Sequence, residues 1–304
     1  MAAQESKKHH YVPRFYLQHF CGADKRVRFC FVKKYAPGYQ GIEWDSIKPD
    51  EVGYVCNLNR DDTLSDPLSV EKHLSGVESR SSPVVTFVLR QKRLPTDTDG
   101  LNILIKYVAY QAARTPDAMS LAGVMDQLVD TRQLLPSRPY HRGGGPIGVI
   151  ERADRIIPLA KKLKWRLEET LPQNQFVTSS RPVGIYVLKP GVLGPASSGE
   201  PESWPYAALV TLPLSPTLAL IGYRPETGFR FHHSSRIRTA LINGMTIYYA
   251  DAIFAQSENA EYLSVDQEAP CQLAQFLTEA DAELKRNSKP PPWKSNANNL
   301  GVLL

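Results

Sequence analysis

The chain has 304 residues, 42% of them hydrophobic and 22% charged, with 36 Lys and Arg against 31 Asp and Glu and a formal net charge of +5. This is the composition of an ordinary globular protein long enough to bury a core, and it excludes collagen, a coiled coil, general disorder and a disulfide scaffold. The positive excess is mild, short of a dedicated nucleic-acid coat. Apolar stretches are interrupted by Lys, Arg, Gln or Glu, and none approaches the roughly 18–20 residues of a membrane helix. The N-terminal segment lacks the apolar core of a signal peptide, so a cytoplasmic location without a membrane partner is expected. Cys21, Cys30, Cys56 and Cys271 show no CxxC pair and no zinc-type spacing, and read as reduced, mostly buried thiols.

After a polar start, the segment 9–20 (HHYVPRFYLQHF) sets Phe15, Leu17 and Phe20 behind Pro13, which predicts a short helix with proline near its first turn. Residues 26–35 alternate as a strand, and 43–58 predict further strands and loop around Trp44 and Val55. Val70, Leu74 and Val77 recur at helical spacing in 67–92, where Pro83 is expected to break or kink the helix. The clearest helix is 98–115, with Leu101, Leu104, Ile105, Val108 and Ala112 in one stripe ending before Pro116. A helix over 117–135 comes next, then a Pro/Gly/Arg loop at 136–146 as the hinge candidate, then a helix over 147–163 with Pro158 as a kink point. Short strands bounded by Pro, Gly and Ser are expected at 165–169, 175–179, 183–188, 207–212 and 218–223, with a loop over 191–205. A helix over 234–250, a strand over 253–256 and a helix over 267–285 complete the pattern. The layout is α+β, a central helical layer with a C-terminal, mainly antiparallel sheet. It forms one domain over 1–286 and a flexible tail over 287–304.

Several constellations carry potential chemistry. His9 and His10 can hold a metal or work as acid and base, but adjacent side chains point apart, so one of the two faces a given site. The competing reading is a structural cap, one imidazole bonding backbone. Tyr107, Gln111 and Arg114 are spaced by four and three, share one side of the main helix and border its apolar stripe. A half-buried Gln and Arg need partners. Arg114 could grip a phosphate or carboxylate through two parallel hydrogen bonds, or pin the helix end in a salt bridge. At 176–183 (FVTSSRPV) an apolar strand runs into Thr178, Ser179 and Ser180 and an Arg-Pro turn, without the GxSxG of a serine hydrolase. Gly143–Gly145 can offer amides to an anion but lack the Lys-Ser/Thr of a P-loop. His232 and His233 precede the late helix, where Ser234 or Ser235 is a reasonable N-cap. Lys7, Lys8, Arg14, Lys25, Arg26, Arg28, Lys33 and Lys34, interleaved with Tyr11, Phe15 and Tyr16, form either a nucleic-acid contact or a solvated face.

Taken together, HHYVPRFYLQHF at 9–20, QAARTP at 111–116, FVTSSRPV at 176–183, PLSP at 213–216 and the helix around Asn243 leading into ADAIFAQS at 250–257 resemble the bacterial family catalogued as domain of unknown function 4238. The resemblance implies positions rather than an activity: His9 or His10, Tyr16, Gln111, Arg114, Thr178, Ser179 and Asn243 would belong to one site. The family's third motif has an aspartate where this chain has Ser180, which would alter any function resting on that carboxylate.

Two functions compete. One is a phosphoesterase or nuclease, acting in bacterial defence or conflict, with His9, His10, Gln111 and Arg114 as the catalytic group and Tyr16, Thr178, Ser179 and Asn243 binding the substrate. A divalent metal is its candidate cofactor, and nucleic acid or another phosphate-bearing ligand its partner. The other is a non-catalytic binding or sensor module for a nucleotide, nucleic acid or protein.

Overall fold

A computed structural model describes residues 8–31, 44–115, 145–189, 192–225, 235–247 and 250–257. The helices expected at 117–135 and 267–285, residues 136–144 of the expected hinge, the tail, the His232–His233 pair, Gly143, Gly144, Lys7, Lys33, Lys34 and Cys271 lie outside these residues.

The described elements run β1 (Lys8–His10), α1 (Arg14–Leu17) continued by a 3-10 turn (Gln18–Phe20), β2 (Val27–Phe31), β3 (Asp45–Ile47), β4 (Tyr54–Cys56), α2 (Ser69–Gln91), α3 (Thr98–Ala113) and α4 (Ile147–Ala160). They continue as β5 (Lys164–Glu169), β6 (Thr178–Ser179), β7 (Gly184–Lys189), β8 (Val192–Ala196), a 3-10 turn (Pro201–Tyr206), β9 (Ala207–Ser215), β10 (Leu218–Tyr223), α5 (Ser235–Ile247) and β11 (Ala252–Ala255). The fold is α+β with open antiparallel sheets. One sheet has the order β5-β10-β9-β7-β8, a second β3-β2-β11-β6, and β1 pairs with β4 alone.

The five-stranded sheet is covered on both faces, and its sequence shows why. In β10, Leu218 and Leu220 point into the main core shared with α2, α3 and α4, while Ala219 and Ile221 join Ile242 and Met245 of α5. The central strand β9 is buried along nearly its whole length, as expected of a strand with no solvated face. Gly184 in β7 permits this packing: a Cβ there would sit 2.7 Å from Thr211 Oγ1 and 2.9 Å from Met245 Cβ, closer than atoms tolerate.

Three local expectations are corrected. Helix α2 runs unbroken through Pro83. The carbonyl that loses its partner to Pro83 is that of Ser79, which is exposed and can bond water, and burial of Val70, Leu74, Val77, Val85 and Val88 on one face offsets the roughly 3 kcal/mol that an interior proline costs. The strand expected at 175–179 shrinks to Thr178–Ser179. The backbone before it is taken by a side chain: Asn243 Oδ1 accepts from Val177 N–H at 3.0 Å and its Nδ2 donates to the Gln175 carbonyl at 3.0 Å. Finally, part of the loop expected over 191–205 is strand β8, paired with β7. Pro195 is tolerated there because β8 is an edge strand, where a missing N–H need not break a ladder.

Candidate functional site

The histidine motif is held by backbone before any side chain acts. Gly53, at φ +68, presents one carbonyl to both Tyr11 N–H (2.9 Å) and Val12 N–H (3.1 Å), a left-handed conformation that favours glycine. Pairing of β1 with β4 places His9 opposite Val55 and His10 opposite Tyr54. The carbonyl of Tyr11 then accepts two further bonds, from Gln111 Nε2 at 2.9 Å and from Arg114 Nε at 2.8 Å. The first motif and the Gln/Arg face of the main helix therefore meet.

The two histidines differ. His9 is 1% exposed, and its Nδ1 accepts the backbone N–H of Asn59 at 2.8 Å. That bond leaves the proton on Nε2 of a neutral ring and makes His9 a structural anchor. Asn59 is itself tied to Glu71 Oε2 at 2.7 Å. His10 is half-buried, tilted against Tyr54 with ring centroids 5.6 Å apart, and its Nε2 is buried without a hydrogen-bond partner among the described residues. Burial lowers the His10 pKa below 6.5; Glu78 and Glu71 oppose the shift, and Arg114 and Lys8 reinforce it. His10 is thus a neutral imidazole near pH 7, able to accept a proton.

Arg114 is 3% exposed and mostly committed. Its Nε bonds the Tyr11 carbonyl and its Nη1 pairs with Glu78 Oε1 at 2.7 Å. Among the described residues Nη2 is left buried and without a partner, together with Gln111 Oε1 and the Tyr107 hydroxyl. The open two-pronged grip suggested by the sequence is therefore not present as the chain stands: a carboxylate occupies one prong. Burial also raises the Tyr107 pKa well above its usual value, with Tyr16 close enough to add to the shift. Tyr107, Gln111 and Arg114 share one side of α3 and its C-terminal cap, and the charges of Arg114 and Glu78 bear on both His10 and Tyr107, so these groups make up one polar strip.

The remaining candidates fall behind this strip or away from it. Tyr16 is fully buried and its ring lies 6.4 Å from that of Tyr107. Its hydroxyl donates to the Pro213 carbonyl (2.5 Å) and meets Thr178 Oγ1 (2.7 Å), which joins the two larger sheets. Ser179 donates to the Thr246 carbonyl at 2.7 Å and accepts from Arg181 N–H at 3.0 Å. Asn243 is the strand clamp described above. Ser180 accepts from the backbone N–H groups of Asp251 (2.9 Å) and Ala252 (3.3 Å). A small cleft with room for about one water is lined by Thr115, Arg181, Ser198 and Thr246 among others. Of the eight candidates, His10, Gln111 and Arg114 form one cluster, while Thr178, Ser179 and Asn243 hold the fold.

Among the described residues no group of three His, Cys, Asp or Glu side chains could hold a metal ion. Two of the basic residues are also accounted for: Arg26 bonds Ser46, and Arg28 pairs with Asp24 and Ser46. The sequence reading missed Glu78 and Asn59. Glu78 was findable, since it lies four residues after Leu74 and three before Ser81, both buried, and a carboxylate bordering an apolar stripe needs a cation. Asn59 acts through its backbone N–H, which no sequence signal marks.

The fold and cluster define an α+β protein with a partly sealed polar strip between its β1–β4 pair and its main helix. Residues 8–142 match the model of the family described as protein of unknown function (DUF4238). Over that part the chain is similar to the family that its motifs resemble. The match takes in HHYVPRFYLQHF and QAARTP, whereas FVTSSRPV, PLSP and ADAIFAQS lie beyond it. No curated protein and no solved structure matches the chain. No described helix is long and apolar enough to cross a membrane.

Proposed function

We propose that this chain binds a phosphate-bearing ligand, nucleic acid included, at the strip formed by His10, Gln111 and Arg114. The observation that carries this reading is the set of buried polar atoms without partners among the described residues, His10 Nε2, Gln111 Oε1, Arg114 Nη2 and Tyr107 Oη, with the Arg114 charge bearing on both His10 and Tyr107. Buried polar atoms are normally satisfied by protein or water, and a group left unpaired calls for a missing partner. Arg114 Nη2 and the Tyr107 hydroxyl offer donors to an oxyanion, and Gln111 Oε1 accepts from a hydroxyl of the same ligand.

A second reading is favoured by one observation, the lowering of the His10 pKa. A neutral, unpartnered imidazole beside a guanidinium is what a metal-independent phosphoesterase needs. The imidazole accepts a proton from the attacking water as its oxygen bonds phosphorus, the ester P–O bond breaks and the leaving oxygen takes that proton back, and the cation stabilises the charge on the phosphoryl oxygens. Purified protein incubated with short single-stranded DNA and RNA separates the two readings. Saturable binding with unchanged oligonucleotide supports the binding module. Cleavage lost in His10→Ala supports the phosphoesterase, and neither binding nor cleavage overturns both.

A further inference from the structure

We infer that Glu78 is a built-in stand-in for the anionic ligand, a carboxylate that closes the Arg114 site until a phosphate displaces it; this rests on the reading of the strip as a phosphate site. The two members of the ion pair are unequally buried. The Arg114 side chain is 4% exposed and that of Glu78 is 28% exposed. Arg114 is also fixed from behind, its Nε bonded to the Tyr11 carbonyl and its helix running on to Ala113. Glu78 Oε1 carries one short contact, to Nη1 at 2.7 Å, and its side chain reaches in from α2. The guanidinium is therefore the fixed half of the pair and the carboxylate the movable half.

The geometry of a guanidinium gives this a chemical meaning. Nη1 and Nη2 form one edge of the fork, the edge that receives two oxygens of a phosphate or carboxylate in parallel. Here one carboxylate oxygen sits on Nη1, and Nη2 of the same edge is buried and unpaired. A tetrahedral oxyanion taking both nitrogens would satisfy Nη2, bring an oxygen towards His10 and release Glu78 to solvent. The cost of parting a buried arginine from its carboxylate is offset because the incoming anion keeps the charge compensated. Binding and opening are then one exchange, and wild-type affinity is lowered by the fraction of molecules in which Glu78 holds the site.

The test is a titration with inorganic phosphate and, separately, with a short single-stranded oligonucleotide. It compares wild type, Glu78→Gln and Glu78→Asp by calorimetry and by thermal melting. Glu78→Gln is expected to melt below wild type without phosphate, to bind phosphate at least 10-fold more tightly, and to regain more melting temperature than wild type as phosphate is added. Glu78→Asp, one methylene shorter, is expected to fall between the two. Phosphate binding by wild type with no tightening in either variant overturns the gate while leaving the phosphate site standing. No phosphate or oligonucleotide binding by any form overturns both. Should Glu78→Gln fail to fold, recovery of folding by phosphate supports the exchange. Failure of phosphate to recover it, with Glu78→Asp no tighter than wild type, shows Glu78 to be purely structural.

Discussion

The carbonyl oxygen of Tyr11 accepts the Nε–H of Arg114 at 2.8 Å across 103 residues of sequence, and the same oxygen accepts from Gln111. One backbone atom thus docks the histidine motif on the main helix. Arg114→Lys keeps the charge but loses the fork, so it cannot serve Tyr11 and Glu78 together; a loss of about 2–3 kcal/mol is expected. Gln111→Leu leaves the carbonyl bonded to Arg114 and should cost about 1 kcal/mol. Denaturant unfolding measures both, and equal costs would contradict the asymmetry.

The neighbouring histidines should separate cleanly. His9→Ala strands the buried Asn59 N–H and is expected to lose about 1–3 kcal/mol, with little direct effect on ligand binding. His10→Ala gives up a tilted contact with Tyr54 and should lose about 1 kcal/mol or less while weakening ligand binding. Melting curves and a phosphate titration on the two variants check this. A larger stability loss at His10 than at His9 would reverse the assignment.

Asn243 and Ser180 act on backbone, and their variants should show it. Asn243→Ala removes the acceptor of Val177 N–H and the donor to Gln175, with an expected cost of about 2–3 kcal/mol and faster hydrogen exchange at the Val177 amide. Ser180→Ala removes the acceptor of two N–H groups and should cost about 1–2 kcal/mol, whereas Ser180→Asp keeps an acceptor there and should be better tolerated. If Ser180→Asp proves the more destabilising of the two, position 180 is not a backbone cap.

Acid should weaken the fold in a defined window. Burial lowers the pKa of His10, His19 and His73, with Lys106 adding to the effect at His73. A group whose folded pKa lies below its unfolded value binds more protons when unfolded, so stability rises with pH through that range. The three histidines contribute fully above pH 6.5, their ordinary value, and the contribution falls as pH drops below 6.5 towards the folded values. His10→Ala should flatten the slope. Unfolding free energies measured between pH 7 and pH 5 test the direction, and a gain in stability on acidification would contradict it.

Much of the architecture was legible because it follows from periodicity and punctuation. The stripe of Leu104, Ile105, Val108 and Ala112 marked α3, and the short runs between Pro, Gly and Ser marked β5, β9 and β10. What escaped was tertiary in origin. Nothing local announces that Asn243 will claim the backbone at 175–177, or that 192–196 will find an edge on β7. The candidate residues were mostly located as polar and buried, yet polarity alone could not divide ligand groups from staples. Thr178, Ser179 and Asn243 have their hydrogen bonds met within the protein, and His10 and Arg114 do not.

The most direct test follows the side-chain nitrogens of histidine and arginine by NMR while inorganic phosphate is added to the wild-type chain. Saturable movement of the His10 ring and Arg114 guanidinium signals, with the His9 and His73 rings unmoved, is the expected result. Unmoved His10 and Arg114 signals at saturating phosphate would contradict a phosphate site in this strip.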